Sequence, residues 1–228
     1  MHILLVAATP YEVQPLHERL ERDGRRTGRG QYTLQGLHLQ FLITGVGTTA
    51  TTYALTKALT GKKYELVINA GVAGSYRSDW TLGTVVNVVR DRPADLGVEE
   101  ADGSFTDVFE LGLTAGDSPP YTLGGWLHNP AAEAYGFLPT ASGATVQRVH
   151  GTAKSIAAFR RKYPAADVES MEGAAVAYVC RLEQQAYLQI RALSNYVEPR
   201  NRDGWELGLA IKNLTTVLYE LLQSLAGS

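Results

Sequence analysis

"HILLVAATPYE" (residues 2–12) runs from an apolar stretch straight into Thr9, Pro10 and Glu12. An unbroken apolar run that ends in turn residues reads as a strand buried on both faces. The residues that end it also start a helix: a threonine N-cap, a first-turn proline and a capping-box glutamate. Strand leading into helix is the repeating unit of an α/β fold, and the rest of the chain is read outward from it.

The pattern recurs. Residues 30–36 suggest a short hairpin arm, followed by the strand "LHLQFLITGVG" (37–47) and the helix "TTATTYALTKAL" (48–59). "ELVINAGVAGS" (65–75) reads as an apolar strand that breaks into a glycine loop at Gly71 and Gly74. "TLGTVVNVVR" (81–90) is a further strand. The stretch from Asp91 to Pro130, rich in Gly, Pro and Asp, is too apolar for a free linker and is expected to be an ordered loop or insertion. Next come the helix "KSIAAFRRKY" (154–163), the strand "ADVES" (166–170), the helix "MEGAAVAYVCRLEQQ" (171–185) and the strand "YLQIRALSN" (187–195). A closing helix carries Leu207, Ile211, Leu214, Leu218, Leu221 and Leu225 on one face. The expected architecture is an α/β fold with a largely parallel sheet covered on both faces.

Composition narrows the function. A chain of 228 residues, 45% hydrophobic, suits one sizeable core and one domain spanning 1–228. A net charge of -2 offers no general attraction for nucleic acid or an anionic membrane, so a small-molecule partner is favoured. Cys180 stands alone, which fits a buried thiol in a reducing compartment; the cytoplasm is the expected location. No window approaches a membrane span, and the first apolar stretch is too short for a signal peptide. The His residues show no metal-ligand spacing, so neither metal nor cofactor is expected.

Ligands of such sheets bind beyond the carboxyl ends of the strands. The positions to weigh are therefore residues 8–12, 45–47, 71–75, 169–172 and 194–195. "GVGTTA" (45–50) fits the dinucleotide fingerprint, with Glu65 about 20 residues on. Glu65, however, precedes its strand, where a ribose-reading acid would follow it, so a glycine turn approaching a small ligand is preferred. Glu12 is accounted for by its capping box, yet in this place it could also accept a proton from water. Glu169 and Glu172 suit a helix N-terminus, and equally the paired hydroxyls of a ribose. The carboxamide of Asn195 offers an acceptor and donors on one plane, matching the N7–H and O6 edge of a 6-oxopurine. Arg200 and Arg202 are either solvated loop charges or partners for an anionic group at the far end of the ligand.

Taken in order, "HILLVAATPYEV", "TGVGTTAT", "INAGVAGS", "VESMEGAA" and "IRALSNYV" resemble the nucleoside phosphorylase and hydrolase superfamily, especially the branch of methylthioadenosine/adenosylhomocysteine nucleosidases. The likeness spans nearly the whole chain. It implies three layers, a twisted central mixed sheet flanked by helices, and a homo-oligomer, dimer or larger. It also implies that Glu12 activates water, that Met171 and Glu172 hold the ribose, and that Ala73 and Gly74 lie beside the base. Ala8, Val46, Val72, Ser170 and Ser194 complete the expected substrate-binding set, and Trp205, with Tyr196, Arg200 and Arg202, is a candidate for the far end of the ligand. Asn195 takes the position facing purine N7, which is an acidic Asp in the adenine-specific nucleosidases and Asn in phosphorylases that accept 6-oxopurines. No basic set matches the phosphate-holding residues of the phosphorylases, so water is the expected nucleophile. The expected reaction is hydrolysis of a purine nucleoside. The rivals are an adenine-specific nucleosidase, a purine nucleoside phosphorylase and a nucleoside-binding protein without catalysis.

Overall fold

The computed structural model describes residues 1–129, 131–132 and 135–227. The opening stretch folds as read: β1 (His2–Ala7) passes through Thr9 into α1 (Pro10–Asp23), with Thr9 as N-cap and Glu12 completing the capping box. Side chains of β1 alternate between two cores. Ile3 and Leu5 pack with Leu16 and Leu20 of α1 and with Leu214 and Leu218 of the closing helix α5 (Leu207–Ala226). Leu4 and Val6 face the other way, toward Leu55 of α2 (Thr48–Leu59) and Val176 of α4 (Gly173–Leu182). Apolar residues on both sides of a two-residue period are what a strand sandwiched between helix layers requires. Each fully buried leucine contributes about 1.5–3 kcal/mol relative to exposure. Cys180 lies in the second core, where burial pushes its thiol up.

The remaining strands are β2 (Arg25–Gly28), β3 (Gln31–Leu34), β4 (Leu37–Ile43), β5 (Leu66–Ser75) and β6 (Val85–Asp91). They are followed by β7 (Gly97–Glu99), β8 (Phe105–Asp107), β9 (Leu127–His128), β10 (Thr140–Thr145), β11 (Val168–Ser170) and β12 (Tyr187–Tyr196), with α3 (Ala153–Lys162) between β10 and β11. The main sheet has the order β11-β10-β6-β12-β5-β1-β4-β3-β2. β1 runs parallel to β4 and β5, and β5 parallel to β12, but β12 meets β6 antiparallel, so the sheet is mixed. β11 pairs with β10 on one side and antiparallel with β5 on the other, placing Glu169 opposite Gly74. The strands from β11 through β10, β6 and β12 to β5 therefore close on themselves. Of the strand termini singled out above, those of β5, β11 and β12 lie in this closed end, and those of β1 and β4 follow the strands next to it.

Several boundaries differ from the sequence reading. β5 does not break into a glycine loop: it runs through Gly71 and Gly74, which pair with Arg191 and Asn195 of β12. These glycines make room. A Cβ on Gly71 would sit 2.6 Å from Glu12 Oε1, and one on Gly74 would sit 2.9 Å from Val197 Cγ2. β10, "TASGAT", has no large apolar residue to mark it as a strand. Its small residues are required, since a Cβ on Gly143 would lie 2.4 Å from Asp91 Oδ2. The hairpin arm expected at 30–36 is wider, with β2 and β3 pairing antiparallel across it. The stretch beginning at Asp91 is ordered as expected and contains the β7–β8 hairpin and β9; Pro130, its last residue, lies outside the described residues. Arg92 fastens this segment through a 3.0 Å ion pair with Asp107, which also accepts from the Tyr163 hydroxyl at 2.9 Å. Among the described residues no helix is long and apolar enough to cross a membrane.

Candidate active site

Glu12 projects from the first turn of α1 across the end of β5. Its Oε2 accepts from the Thr9 backbone N–H at 2.9 Å and from the Thr9 hydroxyl at 3.1 Å, while Oε1 accepts from the Val72 N–H at 3.3 Å. The capping role is real, but it occupies only one carboxylate oxygen; the other faces the sheet. Glu172 is the N-cap of α4, which starts at Gly173 and leaves Met171 and Glu172 ahead of the helix body. Its Oε1 accepts from the Gly47 N–H at 2.9 Å. Burial raises the Glu172 carboxyl above its ordinary range; the Gly47 hydrogen bond and Arg191 pull it down, and the charge of Glu12 adds to the rise.

Sequence reasoning misses the buried cation whose charge acts on this pair of carboxylates. Arg191 of β12 is 2% exposed, and its Nη1 donates to the carbonyls of Asn69 and Ile190, each at 3.3 Å. Burial pushes its pKa down, while Glu172, Glu12 and Asp91, in that order, pull it back up. An ideal Cβ on Gly71 would touch both Glu12 Oε1 at 2.6 Å and Arg191 Nη1 at 3.4 Å, so carboxylate and guanidinium share the space that this glycine leaves. The signal in the sequence was an arginine inside "LQIRALSN": a charge in a fully apolar central strand is the informative kind of buried residue.

Asp91 lies behind the start of α4. Its Oδ1 accepts from the Thr145 hydroxyl and the Arg92 N–H, both at 2.8 Å, and its Oδ2 from Gln189 Nε2 at 2.7 Å. The Thr145 oxygen in turn accepts from the Ala174 N–H at 2.7 Å, so the chain of bonds ends on the first turn of α4. Burial raises the Asp91 carboxyl to about 6 against these hydrogen bonds. A Cβ on Gly173 would lie 2.2 Å from both Asp91 Oδ2 and Gln189 Nε2, so only a bare backbone brings α4, and with it Glu172, this close to the sheet.

The second part of the site surrounds Asn195. Its Oδ1 accepts from the Ser194 hydroxyl at 2.9 Å and its Nδ2 donates to the Tyr196 carbonyl at 2.9 Å. Ser194 also donates to the Ala73 carbonyl at 3.3 Å. One lone pair and one N–H of the carboxamide remain for a ligand. Asn195 lines a cavity with Gly74, His150, Glu169, Arg200 and Trp205. Arg200 and Arg202 both lie against the Trp205 ring, at 5.4 and 6.0 Å from its centroid, with Arg202 exposed on a short turn. Tyr196 instead donates its hydroxyl to the Trp80 carbonyl at 2.9 Å.

The structure brings Glu12, Val72, Met171 and Glu172 to one end of this region, and Ala73, Gly74, Ser194, Asn195 and Trp205 to the other. Ala8 accepts from the Gly45 N–H at 3.1 Å, and Val46 is 55% exposed beside Gly47, on the same rim. Ser170 is buried beside Glu169, and its hydroxyl has no protein partner among the described residues. The dinucleotide fingerprint is not used as such: the Gly47 N–H goes to Glu172, and Glu65 bonds the His2 N–H at the opposite end of β5.

The fold is thus a mixed sheet between helix layers, with carboxylates and a carboxamide gathered at its strand ends. The chain belongs to the Phosphorylase superfamily, whose profile matches residues 2–223. It is 36% identical to the futalosine hydrolase of Streptomyces coelicolor over 97% of this chain and 95% of that protein. It is 28% identical to the 5'-methylthioadenosine/S-adenosylhomocysteine nucleosidase of Lysinibacillus sphaericus, over 99% of this chain and 100% of that one. The fold also matches the crystal structure of the corresponding nucleosidase of Neisseria meningitidis in complex with methylthio-immucillin-A. The TM-score is 0.76 at 20% identity, covering 98% of this chain and 99% of that one.

Proposed function

We infer that the chain is a futalosine hydrolase, an N-glycosyl hydrolase that cleaves the N-ribosidic bond of futalosine with water. The products are hypoxanthine and dehypoxanthine futalosine, a step of menaquinone biosynthesis. The observation that carries this reading is the 36% identity with the Streptomyces coelicolor futalosine hydrolase across almost the full length of both proteins. "VESMEGAA", "LSNYVEPRNRDGW" and "ADLGVEE" are the segments that point the same way within the superfamily. The neutral carboxamide at position 195 supports a 6-oxopurine as the base.

Cleavage of a ribosidic bond builds positive charge on the sugar, as in glycoside hydrolysis. Glu12 takes the proton of the attacking water as its oxygen bonds to C1', and the electrons of the C1'–N9 bond pass to the purine. The purine leaves in its N7–H form, having taken that proton from solvent, and Asn195 accepts from N7–H while donating to O6. Glu172, with Met171 beneath the ribose, binds the sugar hydroxyls and places negative charge near the developing cation. Arg191 keeps the two carboxylates from repelling one another. General-base and electrostatic contributions of this kind are each worth roughly 10²-fold or more. Ala8, Val46, Val72, Ala73, Gly74, Ser170 and Ser194 shape the rim and floor. Trp205, with Arg200 and Arg202, is assigned to the carboxyphenyl end.

The enzyme acts as one domain over residues 1–228, in the cytoplasm, and as a homo-oligomer. Exposed Val46 at 55% and Tyr53 at 69%, at and just beyond the start of α2 on the rim of the site, support a subunit contact there. The reading is tested by incubating purified protein with futalosine, inosine and methylthioadenosine without phosphate and separating the free bases. Hypoxanthine from futalosine is the expected result. Adenine from methylthioadenosine, with futalosine untouched, would place the chain instead with the nucleosidases to which it is 28% identical.

A further inference from the structure

The cavity that Asn195 lines is also lined by a pair that the mechanism above leaves unused, His150 and Glu169. Glu169 is 4% exposed. Its Oε1 accepts from the His150 backbone N–H at 3.1 Å, and its Oε2 accepts from the Tyr76 hydroxyl at 2.6 Å and meets His150 Nδ1. Phe159 backs the assembly, stacked on Tyr76 at 4.8 Å and tilted against the His150 ring at 4.6 Å. Burial, with the Glu169 charge adding, pushes the Tyr76 phenol far above its usual range, so it remains a donor. With the carboxylate as acceptor at Nδ1, the neutral form of the His150 ring carries its hydrogen on that nitrogen. Nε2, on the opposite edge of the ring, then carries a lone pair, and it has no hydrogen-bond partner among the described residues.

We propose that His150 is a specificity-determining residue that reads the purine base, accepting a hydrogen bond at Nε2 from the N1–H of a 6-oxopurine. This deepens the reading given under Proposed function and rests on it for the substrate. The pyrimidine edge is where the two purine classes differ most. N1 of a 6-oxopurine carries a hydrogen, whereas N1 of a 6-aminopurine carries a lone pair, which would face the lone pair of Nε2. Asn195, fixed by Ser194 and the Tyr196 carbonyl, faces N7 and O6 and leaves N1 unread. His150 is likewise fixed: its ring is held by a buried carboxylate, a phenol and an aromatic backing. The buried Glu169 is thereby explained as a positioning residue that sets the tautomer. The closure of β11 onto β5 is what puts it there.

The experiment has a binding arm and an activity arm, each with wild type, His150→Phe, Glu169→Gln and Tyr76→Phe. Calorimetric titration with hypoxanthine and with adenine is expected to show a hypoxanthine preference in the wild type that His150→Phe compresses by roughly 10-fold or more, because a site built to hydrogen-bond discriminates by leaving its polar group unpaired. Glu169→Gln and Tyr76→Phe, which keep the volume, are expected to compress it less. A preference that all three variants keep, or a wild type with none, overturns the proposal. The activity arm compares kcat/KM for futalosine and its 6-amino analogue; loss on futalosine alone supports the proposal, and proportional loss on both overturns it. A wild type that cleaves no 6-oxopurine nucleoside sinks the futalosine reading, while the binding arm still judges His150.

Discussion

The two ends of the site are built on opposite electrostatic plans. Around the ribose position charge is concentrated: Glu12 and Glu172 face a fully sequestered Arg191, with Asp91 one layer behind. At the end proposed to take the base stand a carboxamide, Asn195, and one buried charged group, Glu169, whose oxygens are engaged by His150 and Tyr76. The difference follows from what each end must do. A developing sugar cation is stabilised by fixed negative charge, whereas a neutral heterocycle is identified by the pattern of its donors and acceptors. At the first end a buried cation opposes the burial that raises the Glu172 carboxyl, and at the second a buried carboxylate holds the His150 ring in place.

The comparison breaks most visibly at Glu12. Glu12→Gln is expected to lower turnover by roughly 10²- to 10⁴-fold. Binding of hypoxanthine should stay unchanged; a large fall in affinity with intact turnover would remove Glu12 from the role of base. Arg191→Met removes the guanidinium hydrogen bonds to the buried Asn69 and Ile190 carbonyls and should cost about 1–3 kcal/mol in a denaturant titration. An unchanged midpoint would mean that those carbonyls find other partners.

The glycines of β5 sharpen the contrast. Gly71→Ala drives a Cβ to 2.6 Å from Glu12 Oε1, and a displaced base is expected to lose about 10²-fold in kcat. Gly74→Ala meets side-chain atoms of Val197 and Asn195 at 2.9 and 3.2 Å, which can give way, so its effect should be clearly smaller and appear in base affinity. Equal losses would erase the distinction between a fixed and an adaptable end. Asn195→Asp supplies an acid at N7 and is expected to shift the ratio of 6-amino to 6-oxo substrate cleavage by about tenfold.

A different readout, the pH dependence of stability, concerns Asp91. Its folded pKa of about 6 lies above the ordinary 3.8, so the folded state holds this proton more tightly and the associated stability is lost as pH rises from about 4 through 6. Asp91→Asn removes that dependence. The stability of the variant relative to wild type should therefore climb over this window, by at most about 1.4 kcal/mol per pH unit. A difference that stays flat with pH would mean that Asp91 is ionised throughout.

The ribose end was largely legible in the sequence, because its parts sit in local grammar: Thr9–Glu12 is a capping box and Glu172 precedes a helix. Asn195 could be read for the same reason, as a polar residue closing an apolar strand. What stayed hidden depends on contacts between distant segments. His150 and Glu169 lie 19 positions apart and meet where β11, parallel to β10, also pairs antiparallel with β5. Gly71 and Gly74 were read as a loop because glycine usually signals backbone freedom. Here their value is the absence of a side chain inside a regular strand, which depends on Glu12 and Val197 being beside them. β10 was missed because its small residues carry no periodic apolar signal; they are small because Asp91 occupies the space.

The closed circuit of β11, β10, β6, β12 and β5 has a consequence for how the enzyme loses activity on heating. An open sheet can fray from its margin, shedding peripheral strands while its middle persists. Here the strands bearing Glu169 and Asn195 each have a partner on both sides, so neither can peel away first. Their amide protons belong with the slowest-exchanging class, which opens only by cooperative melting of the whole. Inactivation and the calorimetric transition should therefore coincide in temperature, with no warm regime in which a folded protein has a dissolved active centre.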